Sequence, residues 1–261
     1  MDFEVLGPIK VHHKGVVYLP SAPKLRQLLA LFLLKANMFV SVHDCVEELW
    51  EDRPPRTVIP TLQTYVLHLR RTLAASPAVG TLDAARRVLV TGRGGYYLTL
   101  PTEALDLARF ERWLRQGRDA QRCGNPVEAS ANFRKALDVW RGPALSDVQA
   151  GPLLLPMISA LNEARIAATE QFFDAELRLG YHRDILSHVY SVAAEHPLNE
   201  KVQYQYMLAL YRSGRQVQAL QVYQRLREVL TSELGLEPSP AVQQLHQSIL
   251  ERDPLLDDSA A

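Results

Sequence analysis

"TLQTYVLHLRRTL", Thr61 to Leu73, places Leu62, Val66, Leu69 and Leu73 at steps of four, three and four residues. That spacing makes one continuous apolar stripe on a helix, which the sequence extends over residues 57–75. Pro60 falls in the first turn, where a missing N–H costs little. The face opposite the stripe collects Thr57, Thr61, Thr64, His68 and Arg71, with Arg70 on its shoulder. Threonine and arginine suit base edges and phosphates in a major groove, but on an isolated helix the same residues are simply a solvent face. The neighbouring segments decide between the two.

Upstream, Leu25, Leu28, Leu29 and Phe32 fall at helical spacing, with Ser21 expected as N-cap and Pro23 in the first turn. A second helix begins at "SVHD", where Ser41 and Asp44 stand in capping-box spacing, and runs to Trp50. "EDRPPR" then interrupts, because proline removes donors and pushes its predecessor away from helix. Ahead of the helices, "FEVLGPIKV" and "VVYL" alternate around "HHKG" and read as two strands. After them, "RRVLV" and "GYYLTL" read as a second pair, separated by the tip Gly92-Arg93-Gly94-Gly95. Strands, three helices and a hairpin predict a winged helix-turn-helix. In that fold the hairpin lies against the minor groove, whose negative potential attracts an arginine such as Arg93. Glycines such as Gly94 allow close approach. Tyr96 or Tyr97 is expected to pack on the third helix. A phosphate cradle is discarded, since G-x-x-x-x-G-K-[ST] is absent and the tip opens no helix.

Net charge is zero over 261 residues, yet residues 1–100 carry 12 Lys/Arg against 8 Asp/Glu and the remainder is acidic to the same extent. Seven arginines and a single acid, Asp83, lie between Arg53 and Arg93, a local basic footprint of the kind nucleic acid attracts. The apolar run "LLALFLL" is too short to span a membrane and suits a buried helix. The start "MDFEVLGPIKV" lacks the form of a signal peptide. No membrane partner is therefore expected, and the cytoplasm, with nucleoid association, is the expected location. The two cysteines form no metal-like pair; Cys45 reads as a core residue. His12 and His13 sit in a turn without further ligands. No Ser–His–Asp set carries a local signature, so neither catalytic residues, a metal nor a cofactor is expected.

The second half repeats. From Gly124, Ala129, Phe133 and Ala136 follow at five, nine and twelve residues; Gly180 leads to Ile185, Val189 and Val192, and Gly214 to Ala219, Tyr223 and Leu226. A turn glycine followed by apolar positions at shared offsets is the grammar of helix-pair repeats about 34 residues long. "RGPALSDVQAGPLLLPM" separates the first copy from the second, and "LGLEPSPAV" ends one helix at Gly235 and begins another near Ser239. The expected organisation is a winged helix-turn-helix over residues 1–101, an all-α tetratricopeptide-like region over 105–253, and a disordered tail over 254–261. The fold class is thus α+β followed by all-α.

"FEVLGPIKV", "APKLRQLLALFLLKAN", "TLQTYVLHLRRTL", "GRGGYYL" and "LDLARFERWL", with three helix-pair repeats behind them, resemble the Streptomyces antibiotic regulatory proteins over almost the whole chain. The resemblance implies a winged helix of the response-regulator class joined to a bacterial transcriptional activation domain. It implies an activator of a biosynthetic gene cluster for antibiotics or other secondary metabolites. Such a protein binds tandem direct repeats in double-stranded promoter DNA as a side-by-side homodimer and recruits RNA polymerase through its sigma, alpha and beta subunits. Carried over by position, Thr61, Thr64, His68 and Arg71 read the major groove, Arg70 holds phosphate, and Arg93 serves the wing. Leu67 and His68 stand where that class often has basic residues. The acidic run Glu47, Glu48, Glu51 and Asp52, leading into Arg53, corresponds to the loop that touches polymerase. A repeat-built protein-interaction adaptor and a DNA-binding repressor are the competing readings.

Overall fold

The computed structural model describes residues 1–256. These divide into two compact units, Met1–Trp113 with Lys135–Ile166, and Leu114–Arg134 with the residues from Ala167 onward.

The first unit opens with three antiparallel strands, β1 (Asp2–Glu4), β2 (Lys10–His13) and β3 (Val16–Val17), in that order. Phe3 opposes Val11, and both are buried. Lys14 and Gly15, at φ 50° and 84°, make the two-residue turn whose twist suits a hairpin. The single strand expected over "FEVLGPIKV" is instead broken between Glu4 and Lys10. Here the Val5 and Leu6 amides donate to the buried Asp106 carboxylate at 2.9 Å, and the Leu6 and Gly7 carbonyls accept from the Arg141 and Leu145 amides at 2.8 Å. With its polar groups satisfied elsewhere, this backbone has no need of a ladder.

Helix α1 (Pro23–Leu34) starts on Pro23, with Ala22 rather than Ser21 at the cap and no side-chain capping bond. Its residues Leu28–Leu33 are all buried, so it is a core helix rather than an amphipathic one. A short strand that the sequence does not announce, β4 (Phe39–Ser41), leads into α2 (Val42–Trp50). The capping box forms: the Asp44 amide donates to Ser41 Oγ at 2.9 Å and the Ser41 amide to the Asp44 carboxylate at 3.3 Å. Helix α3 (Val58–Ala74) buries Leu62, Val66, Leu69 and Leu73 as its stripe requires.

"RRVLV" does not form a strand from its first residue. Thr81 caps a further helix, α4 (Leu82–Val88), by accepting from the Ala84 amide at 3.1 Å, and the strand β5 (Leu89–Gly92) begins only where α4 stops. β5 pairs with β6 (Gly95–Leu98), which also pairs with β4, giving a sheet ordered β4-β6-β5.

The second half is helical: α5 (Asp106–Arg122), α6 (Pro126–Leu137), α7 (Leu154–Arg178), α8 (Leu186–Glu195), α9 (Glu200–Arg212), α10 (Gln216–Leu234) and α11 (Pro240–Glu251). Three of its turns are built alike. Gly124, Gly180 and Gly214 have φ of 71°, 78° and 77°. Each donates its amide to the carbonyl three residues back, and the next residue donates to the carbonyl five back. This is the glycine-closed end that terminates a helix and frees the chain to start another. Eight of the nine repeat positions are buried, Val192 alone being half-exposed. Gly117 lies against the Phe133 ring so closely that a Cβ would collide with it, which pairs a small residue with a large one across α5 and α6.

Residues 138–153, the stretch between the first two copies, carry neither helix nor strand and are fastened within the first unit. The Ile9 amide donates to Asp147 at 2.7 Å, and Arg26 pairs with the same carboxylate at 3.1 Å. Residues 254–256 of the expected tail form a short 3-10 turn, and 257–261 lie outside the described residues.

Candidate nucleic-acid interface

The face of α3 opposite its stripe is open. Thr57, Thr64, His68 and Arg71 are exposed and Thr61 half-exposed. Two of its threonines turn their hydroxyls inward. Thr61 donates to the Thr57 carbonyl at 2.8 Å and Thr64 to the Pro60 carbonyl at 2.9 Å, each four residues back along the helix. Oγ1 is thereby committed to the backbone, so the face offers threonine methyls and oxygen lone pairs rather than hydroxyl protons. Such a surface suits the C5-methyl of thymine and exocyclic amino donors better than it suits acceptors.

Arg70 does something other than await a phosphate. Its Nε and a terminal nitrogen donate to the Leu89 carbonyl at 2.9 and 2.6 Å, and the same terminal nitrogen donates to Thr91 Oγ1 at 2.7 Å. Burial pulls its pKa below the usual arginine value, with the nearby Tyr96 opposing. Arg70 therefore clamps the first hairpin strand onto α3. Its partner Thr91 is a residue that composition alone does not single out.

The hairpin tip divides the labour among its glycines. Gly94 is in the left-handed region, φ 79°, with open space around it, and its carbonyl accepts from the Val42 amide at 2.9 Å. A Cβ on Gly95 would strike the Val40 carbonyl and the Phe39 ring, and one on Gly92 would strike the Tyr97 ring. At Gly95 packing against backbone demands glycine, whereas at Gly92 the obstacle is the exposed Tyr97 ring. Arg93 between them is exposed and makes no hydrogen bond or ion pair among the described residues. The tyrosines split. Tyr96 is buried and meets Phe32 of α1 edge-on at 6.0 Å, while Tyr97 lies on Phe39 at 5.1 Å. Neither of these ring contacts is with α3; Arg70 is the α3 group whose charge reaches Tyr96.

The acidic run is not one surface. Glu48, expected there, is 1% exposed. Its carboxylate accepts from the Gly151 amide at 2.6 Å, the Leu153 and Leu154 amides at 2.9 and 3.0 Å, and Gln27 at 2.9 Å. It caps the start of α7, where unpaired amides and the helix dipole favour an anion. Glu47 is half-buried beside His43 at 3.7 Å. Glu51, Asp52 and Arg53 are exposed, with Glu51 held at φ 52°.

A family model described as the bacterial transcriptional activator domain matches residues 105–250. That match defines the class as a bacterial transcriptional regulator. The chain is 40% identical over 257 residues to the regulatory protein DnrI of Streptomyces peucetius, covering 98% of this chain and 94% of DnrI. It is 35% identical to the regulatory protein AfsR of Streptomyces coelicolor, spanning only 25% of AfsR's length. Among solved structures, Mycobacterium tuberculosis EmbR in complex with a low-affinity phosphopeptide superposes with a TM-score of 0.90 at 32% identity, over 99% of this chain and 67% of that one. The chain belongs to the Streptomyces antibiotic regulatory protein family.

Proposed function

We propose that this protein is a sequence-specific DNA-binding activator of a biosynthetic gene cluster, acting at promoters in the cytoplasm. In this reading residues 1–101 work as a winged helix-turn-helix with α3 as recognition helix and β5–β6 as wing. Residues 105–253 work as a tetratricopeptide-like activation region. The observation that carries it is the pairing of an exposed Thr/His/Arg face on α3 with an exposed Arg93 that has no partner among the described residues, two residues beyond the strand position that Arg70 clamps. Thr57, Thr61, Thr64, His68 and Arg71 enter the major groove, and Arg93, on the Gly94 turn, reaches a minor groove or its phosphates. Arg70 is a positioning residue for the wing.

Activation follows from contact with RNA polymerase through Glu51, Asp52 and Arg53, the exposed members of the loop between α2 and α3. Charge reversal at Glu51 and Asp52 is expected to lower activation in vitro with purified polymerase while promoter affinity stays unchanged. Loss of DNA binding in that variant sinks the assignment. The deciding experiment for the whole reading is footprinting and in-vitro transcription on the flanking promoters, at two salt concentrations. Protected direct repeats, salt-sensitive affinity and raised transcript support it; protection with reduced transcript makes the protein a repressor. Binding without sequence preference leaves the repeat-built adaptor.

A further inference from the structure

Within the second unit, α8, α9 and α10 line an open groove of about 360 Å³. Its wall is aromatic and aliphatic on one side, with the Tyr190 and Tyr206 rings 5.8 Å apart and Val222 and Leu226 beside them. Four polar residues share the lining, Gln203 of α9 and Gln218, Gln221 and Arg225 of α10. Arg225 is the only charged residue in the lining and makes no ion pair or hydrogen bond among the described residues. Two positions along α10, by contrast, Arg227 is satisfied by Glu237 through bonds of 2.7 and 2.9 Å. A second cation, Arg215, also lies close enough to act on the Tyr206 phenol. A concave, mostly apolar wall with one convergent cation and neutral hydrogen-bonding groups is the make-up of a small-molecule site.

We propose that this groove binds a small organic carboxylate with a flat apolar body. The body lies against Tyr190, Tyr206 and Val222, and the carboxylate accepts from the Arg225 guanidinium and from a Gln221 amide. Charge selects the class: no carboxylate lines the groove, so a cationic ligand meets the like charge of Arg225 without a counter-ion, and an anion finds Arg225. Size selects a compact molecule over a folded partner, since the volume sits near the lower end of the roughly 300–1,000 Å³ typical of ligand pockets. The site lies apart from α3 and the hairpin in sequence and unit, and it does not depend on the DNA-binding reading.

Titration of the full-length chain with anthracene carboxylate and with its neutral counterpart anthracenemethanol tests this. The expected result is one saturable site for the carboxylate, with the neutral compound about tenfold weaker, the loss of one charge-assisted contact. Arg225→Gln should bring the carboxylate down to the affinity of the neutral compound. Gln221→Glu, which sets a negative charge beside Arg225, should weaken the carboxylate several-fold more than it weakens anthracenemethanol. Both positions are exposed, and circular dichroism reports whether the helices persist. Equal affinity for the two compounds, an unaltered titration in Arg225→Gln, or the absence of saturation would overturn the proposal.

Discussion

Thr64 shows how one hydrogen bond changes what a residue type means. As a letter it is a donor and acceptor; in α3 its proton is given to the Pro60 carbonyl, which leaves a methyl and the oxygen lone pairs. If Thr64 reads a thymine methyl, Thr64→Val should preserve promoter affinity, whereas Thr64→Ser should weaken it about three- to fivefold, the worth of one buried methyl. Replacing individual operator thymines by deoxyuridine should locate the contact; if Val weakens binding and Ser does not, the hydroxyl is the reader. Cys45 makes the same point for a thiol. Burial, with Asp44 adding to it, pushes its pKa from 9.0 up to about 12. Alkylation of the native chain near neutral pH should therefore label the exposed Cys123 and spare Cys45, with both labelled after denaturation. The sign for stability follows. The unfolded thiol ionises near pH 9 while the folded one does not, so this contribution is intact below that pH and falls as pH rises toward 12.

At the scale of elements, the decisive joint is between α3 and the hairpin. Arg70 supplies three hydrogen bonds across it, and β4 supplies the third strand that holds β6. Arg70→Met keeps much of the stem and removes the clamp; it should cost about 1–3 kcal/mol of unfolding free energy by chemical denaturation. Its effect on DNA should differ in kind from that of Arg93→Ala. Losing a phosphate contact lowers the salt slope of binding by about one unit, whereas losing a clamp lowers affinity at an unchanged slope. A slope change in Arg70→Met equal to that in Arg93→Ala would return Arg70 to the phosphates. The strap 138–153 is a second such joint, where Glu48 gathers three backbone amides at the start of α7.

For the whole molecule, operators that are tandem direct repeats, as the proposed function expects, would impose a geometry that a symmetric dimer does not satisfy. Protomers in the same orientation meet through two different surfaces, a heterologous contact. The chain should therefore sediment as a monomer without DNA and load two per site when repeat centres lie about one helical turn, roughly 10–10.5 base pairs, apart. Inserting half a turn between repeats should abolish cooperativity while leaving single-repeat affinity intact. A tight symmetric dimer in solution would count against this arrangement.

The sequence by itself determined whatever is encoded by local period and punctuation. The α3 stripe, the Ser41–Asp44 box and the three glycine-closed turns are short-range devices, and each is legible in a few neighbouring letters. The same is true of the family, because the phrases that carry it run nearly end to end. Tertiary structure alone decided where the polar groups went. Strand β4 exists because β6 is there to pair with it, and "FEVLGPIKV" is broken because Asp106, about a hundred residues away, takes its amides. Glu48 left the acidic surface, and Arg70 turned to the hairpin, because a buried carbonyl or amide must find a partner wherever the fold provides one. Partners at that distance in sequence leave no periodic trace. The threonine face of α3 and Arg93 remained open because no such demand reaches them.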